Sequence, residues 1–368
     1  MFVVFRADAS LEIGTGHVMR CLTLADALRE RGVDCLFVCR RHPGNLIEAI
    51  ESRGFRVEAL PIAVGGEGGD GDAAAEHAGW LGAPWKLDAA QTRAGMNNRR
   101  ADWLVVDHYA IGAQWERQIE ASASHLMVID DLANRPHFCD LLMDQNLGRT
   151  EESYQRLVPA ACRVFAGAEY ALLRKEFPAL REKSLARRQP PKIRQLLIAM
   201  GGVDKDNATG AILETLSRNG VPKDCSVTVV LGKHCPWIDE VKHLASTLPS
   251  HIDVHVDTPD MAKLMADSDL AIGGAGSTSW ERCCLGVPSI QVVLASNQSE
   301  IAAALQAAGA AITVDAATLE SAMAEVLGRI FSTPSLIGEM SRAAAKVTSG
   351  QGVATVTGYM LRVVADEN

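Results

Sequence analysis

At 368 residues the chain is too long for one hydrophobic core, which stops growing at roughly 250 residues, so two domains are expected. Its 48% hydrophobic and 22% charged residues match an ordinary globular protein and exclude extended disorder. The 36 basic and 45 acidic residues leave a formal charge of -9 with no Lys/Arg block, which excludes nucleic acid as a partner and leaves any anionic ligand to local devices such as backbone N–H groups.

Only four apolar residues, Phe2 to Phe5, precede Arg6, too few for a signal-peptide core or a membrane span. The nine cysteines include no C-x-x-C pair and lie mostly in apolar runs, so reduced core thiols, a cytoplasmic setting and no metal site are expected. Phe2 to Phe5 reads as a buried parallel strand, followed by a Gly-containing turn and a helix from Val18 to Arg31. Strands at Asp34 to Cys39, Arg56 to Leu60, Trp103 to Asp107, His125 to Asp130 and Leu141 to Asp144 continue the rhythm, with helices at Leu46 to Arg53 and Trp115 to Ala121. The acidic glycine stretch from Val64 to Asp72 reads as a solvated surface loop. Dense charge and a Pro-Pro pair over Arg181 to Arg194 read as an interdomain linker.

Beyond that stretch the alternation restarts. Strands are expected at Gln195 to Met200, Val227 to Leu231, Ile252 to Val256, Leu270 to Gly273 and Ser289 to Val293. Helices are expected at Ala208 to Ser217, Pro236 to Leu248, Met261 to Asp267 and Ser277 to Leu285, and through most of Leu319 to Ala365. The fold class is therefore α/β, with two doubly wound Rossmann-like domains over 1–180 and 192–350, and a last helix over 351–368 that packs back on the first domain.

Open α/β sheets bind ligands beyond the carboxyl ends of their strands, so the chemistry is sought there. After the first strand, Gly14 and Gly16 bracket Thr15 immediately before His17 at a helix start. The pattern departs from a dinucleotide fingerprint, because Met19 stands where a third glycine belongs and no acid ends the second strand. A lone histidine there is more often structural. This one follows a glycine turn at the ligand edge and suits a general base at neutral pH.

In the second half Gly273-Gly274-Ala275-Gly276 ends a strand and Ser277-Thr278 opens a helix, with Ser277 in the N-cap place, a pattern suited to a pyrophosphate. No Lys-Ser/Thr follows, so a Walker loop and Mg²⁺ are not called for. Glu281 is placed either to accept from a ribose diol or to complement the helix dipole. The amides of Asn297 and Gln298 suit sugar or phosphate, or belong to a plain turn. Asp107-His108-Tyr109, Asp130-Asp131 and Asp144-Gln145-Asn146 each follow a strand of the first half, and the sequence does not say which of them meet.

The runs RADASLEIGTGHVMRCLTLADAL, DHYAIGAQWE, IDDLANRPHFCDLLMDQN, YALLRKEF and GGAGSTSWERCCLGVPSI, followed by NQ, resemble the UDP-2,4-diacetamido-2,4,6-trideoxy-β-L-altropyranose hydrolase (PseG/SpsG-like) family of pseudaminic acid biosynthesis, in the GT-B superfamily. The resemblance implies a GT-B fold with an interdomain cleft, and a cytoplasmic enzyme that replaces UDP at the anomeric carbon by water with inversion, without metal or cofactor. It implies His17 as the base, Asp8 or Tyr109 as its helper, and Gly14, Gly16 and Arg20 on the substrate side. Gly274, Ala275, Gly276, Ser277 and Thr278 would hold the diphosphate, Glu281 the ribose, Asn297 and Gln298 the phosphate–sugar region, and backbone from Val256 to Met261 the uracil. The partners implied are a UDP-sugar and, functionally, other sugar-nucleotide enzymes that supply flagellin or surface glycan precursors. Two rival readings are a GT-B glycosyltransferase using a UDP-amino sugar and a non-catalytic nucleotide-sugar-binding protein.

Overall fold

The computed structural model describes residues 1–63, 77–97, 99–248, 251–295 and 298–367. The acidic glycine stretch from Val64 to Asp72, and Asn297, lie outside the described residues. The chain divides into two compact units, Met1–Leu172 with Gln351–Asn368, and Leu173–Gly350.

The first unit is built on a parallel seven-stranded sheet. Its elements are β1 (Phe2–Ala7), α1 (Gly16–Arg29), β2 (Asp34–Arg40), α2 (Ile47–Ser52), β3 (Arg56–Leu60), α3 (Trp85–Gly95), β4 (Ala101–Asp107), α4 (Ala113–Ile119), β5 (Ala123–Ile129), β6 (Leu141–Asp144) and β7 (Arg163–Ala166). The spatial order is β3-β2-β1-β4-β5-β6-β7, so the winding reverses between β1 and β4. At such a reversal the loops after the two central strands diverge and leave a crevice at the strands' carboxyl ends. Here those loops begin at Asp8 and at His108.

Alternation along β1 explains the layers. Val3, Phe5 and Ala7 join the cluster that includes Leu22, Leu24 and Leu28 of α1, whereas Phe2 and Val4 join the opposite cluster with Ala89 of α3 and Trp115 of α4. Arg6 falls on the second face and is fully buried. Its charge is met by Asp88 of α3 at 2.7 Å and Asp8 at 2.8 Å, and Asp88 also accepts from Arg40 at 2.6 Å and from the Trp115 indole at 2.9 Å.

The second unit repeats the plan with α5 (Glu176–Arg187), β8 (Gln195–Ala199), α6 (Ala208–Asn219), β9 (Ser226–Leu231), α7 (Ile238–Thr247), β10 (Ile252–Val256), α8 (Met261–Ala266), β11 (Leu270–Gly274), α9 (Thr278–Cys284), β12 (Ser289–Val293), α10 (Ser299–Ala307), β13 (Ala311–Asp315), α11 (Leu319–Ser332) and α12 (Pro334–Val347). Its parallel sheet runs β10-β9-β8-β11-β12-β13, with the reversal between β8 and β11. The loop after β11 is the glycine turn.

The segment 181–194, expected as a linker, belongs instead to the second unit, and the chain passes between units at 172–173 and 350–351. Two of its arginines turn inward to satisfy helix ends, while Glu182, Lys183, Arg187, Lys192 and Arg194 stay exposed. The Arg188 guanidinium is buried and donates to Ser268 O at 2.5 Å beyond α8, and to Leu285 O at 3.0 Å beyond α9. Arg181 likewise donates to Ala345 O at 2.6 Å and Thr348 O at 3.0 Å, near the end of α12.

The chain then returns to the first unit as α13 (Gly352–Asp366), against α1. Gly352 has to be glycine, since a Cβ there would stand 2.4 Å from the Tyr170 carbonyl. Arg31 donates to Thr357 at 2.6 Å, and the Trp103 indole to Met360 O at 3.2 Å. Among the described residues all nine cysteines are free, and no helix is long and apolar enough to cross a membrane.

Candidate active site

The loop leaving β1 folds on itself: Gly14 donates to Ser10 O at 2.9 Å, and the Ser10 hydroxyl accepts from Ile13 N at 2.9 Å. Gly14 sits at φ +77°, where a side chain would be strained. A Cβ at Gly14 or Gly16 would meet nothing within 4 Å, so it is not packing that calls for glycine at Gly16. The loop delivers His17 into the first turn of α1, beside the end of β4.

There the ring meets Asp107. Nδ1 of His17 lies 2.6 Å from Oδ1 of the fully buried Asp107 carboxylate. Arg20, one turn along α1, donates to the same carboxylate through Nε and Nη2, both at 2.6 Å, and through Nη1 to Asp131 at 2.7 Å. Burial alone would raise the Asp107 pKa, but Arg20 and then His17 hold it well below the usual carboxylate range. An ionised Asp107 accepts only, so Nδ1 carries the hydrogen and the Nε2 lone pair is left as the basic site.

Tyr109 packs edge-on against His17, ring centroids 4.6 Å apart, and donates its hydroxyl proton to Asp131 at 2.6 Å. Burial, then the Asp131 charge, push its phenol well above the ordinary value, so it stays protonated. Its one proton is engaged by Asp131, and the ring serves as a wall with Trp80 stacked on it at 5.8 Å.

Asp8 is fully buried and turned elsewhere. Its carboxylate accepts from Arg40 N at 2.6 Å and faces Arg6, with His108 Nε2 at 3.3 Å and His42 Nε2 at 3.7 Å. Burial works to raise its pKa, and Arg6, His108 and His42 more than offset this. Of the residues named from the sequence, the structure therefore brings together His17, Arg20 and Tyr109, and sets Asp8 apart from them. Asp107 and Asp131 join them without having been assigned a role.

Farther along the sheet edge Asp144 is pushed up to about 7 by burial and by Asp131. The Tyr154 hydroxyl lies 2.8 Å from Asp144 and 3.0 Å from Asp130, and a phenol has one proton for two carboxyls. Asp130 is held ionised by Arg135 at 2.7 Å, whereas Arg149 Nε stands farther from Asp144, at 3.3 Å, so the extra proton belongs on Asp144. The folded state then binds more protons than the unfolded chain between about pH 4 and 7, and stability falls as pH rises through that window. Asp144→Asn supplies an uncharged donor in the same shape. Its melting temperature should exceed that of the parent by several degrees at pH 8, about 4–8 °C per kcal/mol for a small domain and less for a chain this long, with the gap closing towards pH 4. Thermal melts across that range check it.

In the second unit the turn is held by Arg282 from beneath. This buried guanidinium donates through Nη2 to Gly274 O and to the Ser279 hydroxyl, both at 2.8 Å, and burial lowers its pKa to about 10. Gly273 is needed for that approach, since a Cβ would lie 2.7 Å from Arg282 Nη1 and from Ala199 O. Ser277 occupies the N-cap place, but its backbone is already helical and its hydroxyl makes no cap bond, correcting the role expected of it.

Ala275 N–H donates to Val292 O at 3.3 Å. Among the described residues the N–H groups of Gly276, Ser277 and Thr278 have no hydrogen-bond acceptor. Gln298 lies at this turn: its amide nitrogen is 4.0 Å from where a Gly276 Cβ would be, and its oxygen accepts from Leu294 N at 3.0 Å. Glu281 is pushed up to about 7 by burial, with Arg174 at 3.8 Å. Met261 opens α8, half-buried, after the left-handed Asp257 (φ +53°) that follows β10.

Residues 219–355 match the family model for the glycosyltransferase family 28 C-terminal domain. The UDP-2,4-diacetamido-2,4,6-trideoxy-beta-L-altropyranose hydrolase of Campylobacter jejuni is 26% identical over 82% of this chain and 95% of its own length. The spore coat polysaccharide biosynthesis protein SpsG of Bacillus subtilis is 23% identical over 98% of both chains. The chain resembles the PseG/SpsG-like family of GT-B proteins. An uncharacterised protein of Methanocaldococcus jannaschii, MJ1062, is 26% identical over 81% of this PseG/SpsG-like chain, which spans only 56% of that protein's length. Among solved structures, Acinetobacter baumannii MurG superposes with a TM-score of 0.68 at 19% identity, covering 98% of this chain and 99% of MurG. The spinosyn rhamnosyltransferase SpnG with thymidine diphosphate gives 0.60 at 16% identity over the full length of both. These likenesses establish the GT-B fold.

Proposed function

We propose that this PseG/SpsG-like protein is an enzyme that hydrolyses a UDP-linked diacetamido-trideoxy sugar of the altropyranose type. The observation that carries the reading is the 2.6 Å contact between His17 Nδ1 and the buried Asp107 carboxylate, which leaves Nε2 as a base of fixed tautomer. In this mechanism Nε2 removes a proton from water as the water oxygen bonds to the anomeric carbon. The bond from that carbon to the UDP oxygen breaks on the opposite face, UDP leaves with the electron pair, and the configuration inverts. The Asp107 carboxylate stabilises the imidazolium that results.

The second unit supplies the nucleotide contacts. The N–H groups of Gly276, Ser277 and Thr278 with the Gln298 amide are assigned to the diphosphate, whose leaving ability rises as those donors meet its charge. Glu281 is assigned to the ribose, Asn297 to the phosphate–sugar region, and the backbone from Val256 to Met261, joining β10 to α8, to the uracil. The relative of C. jejuni named as a hydrolase supports water as the acceptor, because this chain spans nearly all of its length.

Incubating the pure protein with the UDP-sugar alone, and following UDP and the anomeric configuration of the freed sugar by NMR, tests this. Release of UDP with the inverted free sugar is expected. UDP release that requires an added acceptor would make the protein a glycosyltransferase, and binding without turnover would make it a carrier or sensor.

A further inference from the structure

Asp131 touches nothing that the mechanism above requires, yet it holds two of the groups that flank His17. Its Oδ2 accepts from Arg20 Nη1 at 2.7 Å and from the Tyr109 hydroxyl at 2.6 Å, and its Oδ1 from Asn146 Nδ2 at 3.3 Å. Arg20 is the shared element: two of its nitrogens bind Asp107, the third binds Asp131, and Nη2 lies only 3.4 Å from His17 Nδ1. We propose that Asp131 is a positioning residue for His17, balancing the Arg20 charge so that the imidazole can take up a proton and fixing the Tyr109 ring against it.

The argument is electrostatic. With Arg20, Asp107 and Asp131 ionised and His17 neutral, the group carries a net charge of one negative unit, and a proton arriving on His17 brings it to zero. Without Asp131 the same proton would take a neutral pair to a net positive charge, with a guanidinium nitrogen 3.4 Å from the ring. The buried setting screens little of this, since Asp107 is fully buried and the Arg20 and Asp131 side chains are 9% and 15% exposed.

The other groups packed against His17 do not replace that charge, and Asp144, held protonated in part by Asp131, lies farther along the sheet edge. From α1 come Arg20 and Cys21, whose thiol is pushed well up by burial. From the end of β4 come Asp107, Tyr109 and His108, the last kept neutral by burial, with its Nδ1 accepting from Ala110 N at 3.0 Å. Asp8, from the end of β1, is paired with Arg6. His77 reaches the group through Tyr109, ring centroids 5.3 Å apart.

The inference rests on His17 being the base, and the experiment separates the two. Asp131→Asn keeps the shape and removes the charge. It is expected to lower kcat for UDP release roughly 10- to 100-fold with KM nearly unchanged, the scale of a modest misplacement of a catalytic group. The acid limb of the kcat profile should move to lower pH, and the ¹⁵N imidazole titration of His17 in the free protein should move the same way. Asp131→Glu, which restores the charge, should return both curves towards the parent.

Parental kcat and pH profile in Asp131→Asn would overturn the positioning role while leaving the hydrolase reading intact. If the parent itself fails to release UDP, the hydrolase reading falls, and the His17 titration still decides the coupling: an unmoved curve in Asp131→Asn overturns it. Should Asp131→Asn fail to fold, Asp131→Glu carries the test, and an acid limb displaced to lower pH despite the retained charge would overturn the charge-balancing role.

Discussion

His17→Ala is expected to lower kcat for UDP release by about 10²- to 10⁴-fold, the range over which a positioned base accelerates proton transfer. The variant should still bind UDP, because the contacts assigned to the nucleotide lie in the other unit, and calorimetric titration with UDP would show this. It should also keep its fold, since Asp107 retains both of its Arg20 contacts at 2.6 Å when the imidazole is removed. Full UDP release by His17→Ala would refute the mechanism outright.

Asp107→Asn is expected to be nearly as damaging, for two physical reasons that different measurements separate. An asparagine amide can turn its nitrogen towards His17 Nδ1, which then accepts and leaves the hydrogen on Nε2, so the base is lost although the ring stays in place. A kcat loss of about 10³-fold or more follows from holding the wrong tautomer. The substitution also strips Arg20 of the carboxylate that it meets at 2.6 Å through two nitrogens. Removing one partner of a buried ion pair typically costs about 3–5 kcal/mol, so Asp107→Asn should melt well below the parent whereas His17→Ala should not. Equal melting temperatures for the two variants would mean that Asp107 serves the ring alone.

Much of the architecture is legible in the sequence because parallel strands are short unbroken apolar runs set between amphipathic helices. The readings fail where a segment's polarity is spent internally. Arg181 and Arg188 resemble the charges of a solvated linker, but they donate to carbonyl groups at the ends of helices, a use that only tertiary structure reveals. Strand β7 is four residues long and starts with arginine, and β13 ends on aspartate, so neither stands out as an apolar run at the edge of its sheet.

The candidate site divides in the same way. Gly14, Gly16 and His17 are neighbours in sequence, as are Gly274 to Thr278, and each group shows itself locally. Asp107 lies 90 residues from His17, and Asp131 lies 111 from Arg20, so their meeting depends on β1, β4 and β5 being consecutive in the sheet. The usable signal is that both acids stand at the end of a strand or just after it, where open α/β sheets bind ligands, and the winding reversal between β1 and β4 then shows which of these places meet. The resemblance sets Arg20 on the substrate side. In the structure its guanidinium donates to Asp107 and Asp131 beside the ring.

One property of the first unit bears on how the chain is made. Its sheet is complete by residue 172, but the helix that shields α1 and receives the Trp103 indole is translated only after the entire second unit. During synthesis the flank of α1 therefore stays uncovered while some 180 residues emerge, and chaperone capture or aggregation would strike there. The helix that presents His17 acquires that support only after the whole second unit has been made.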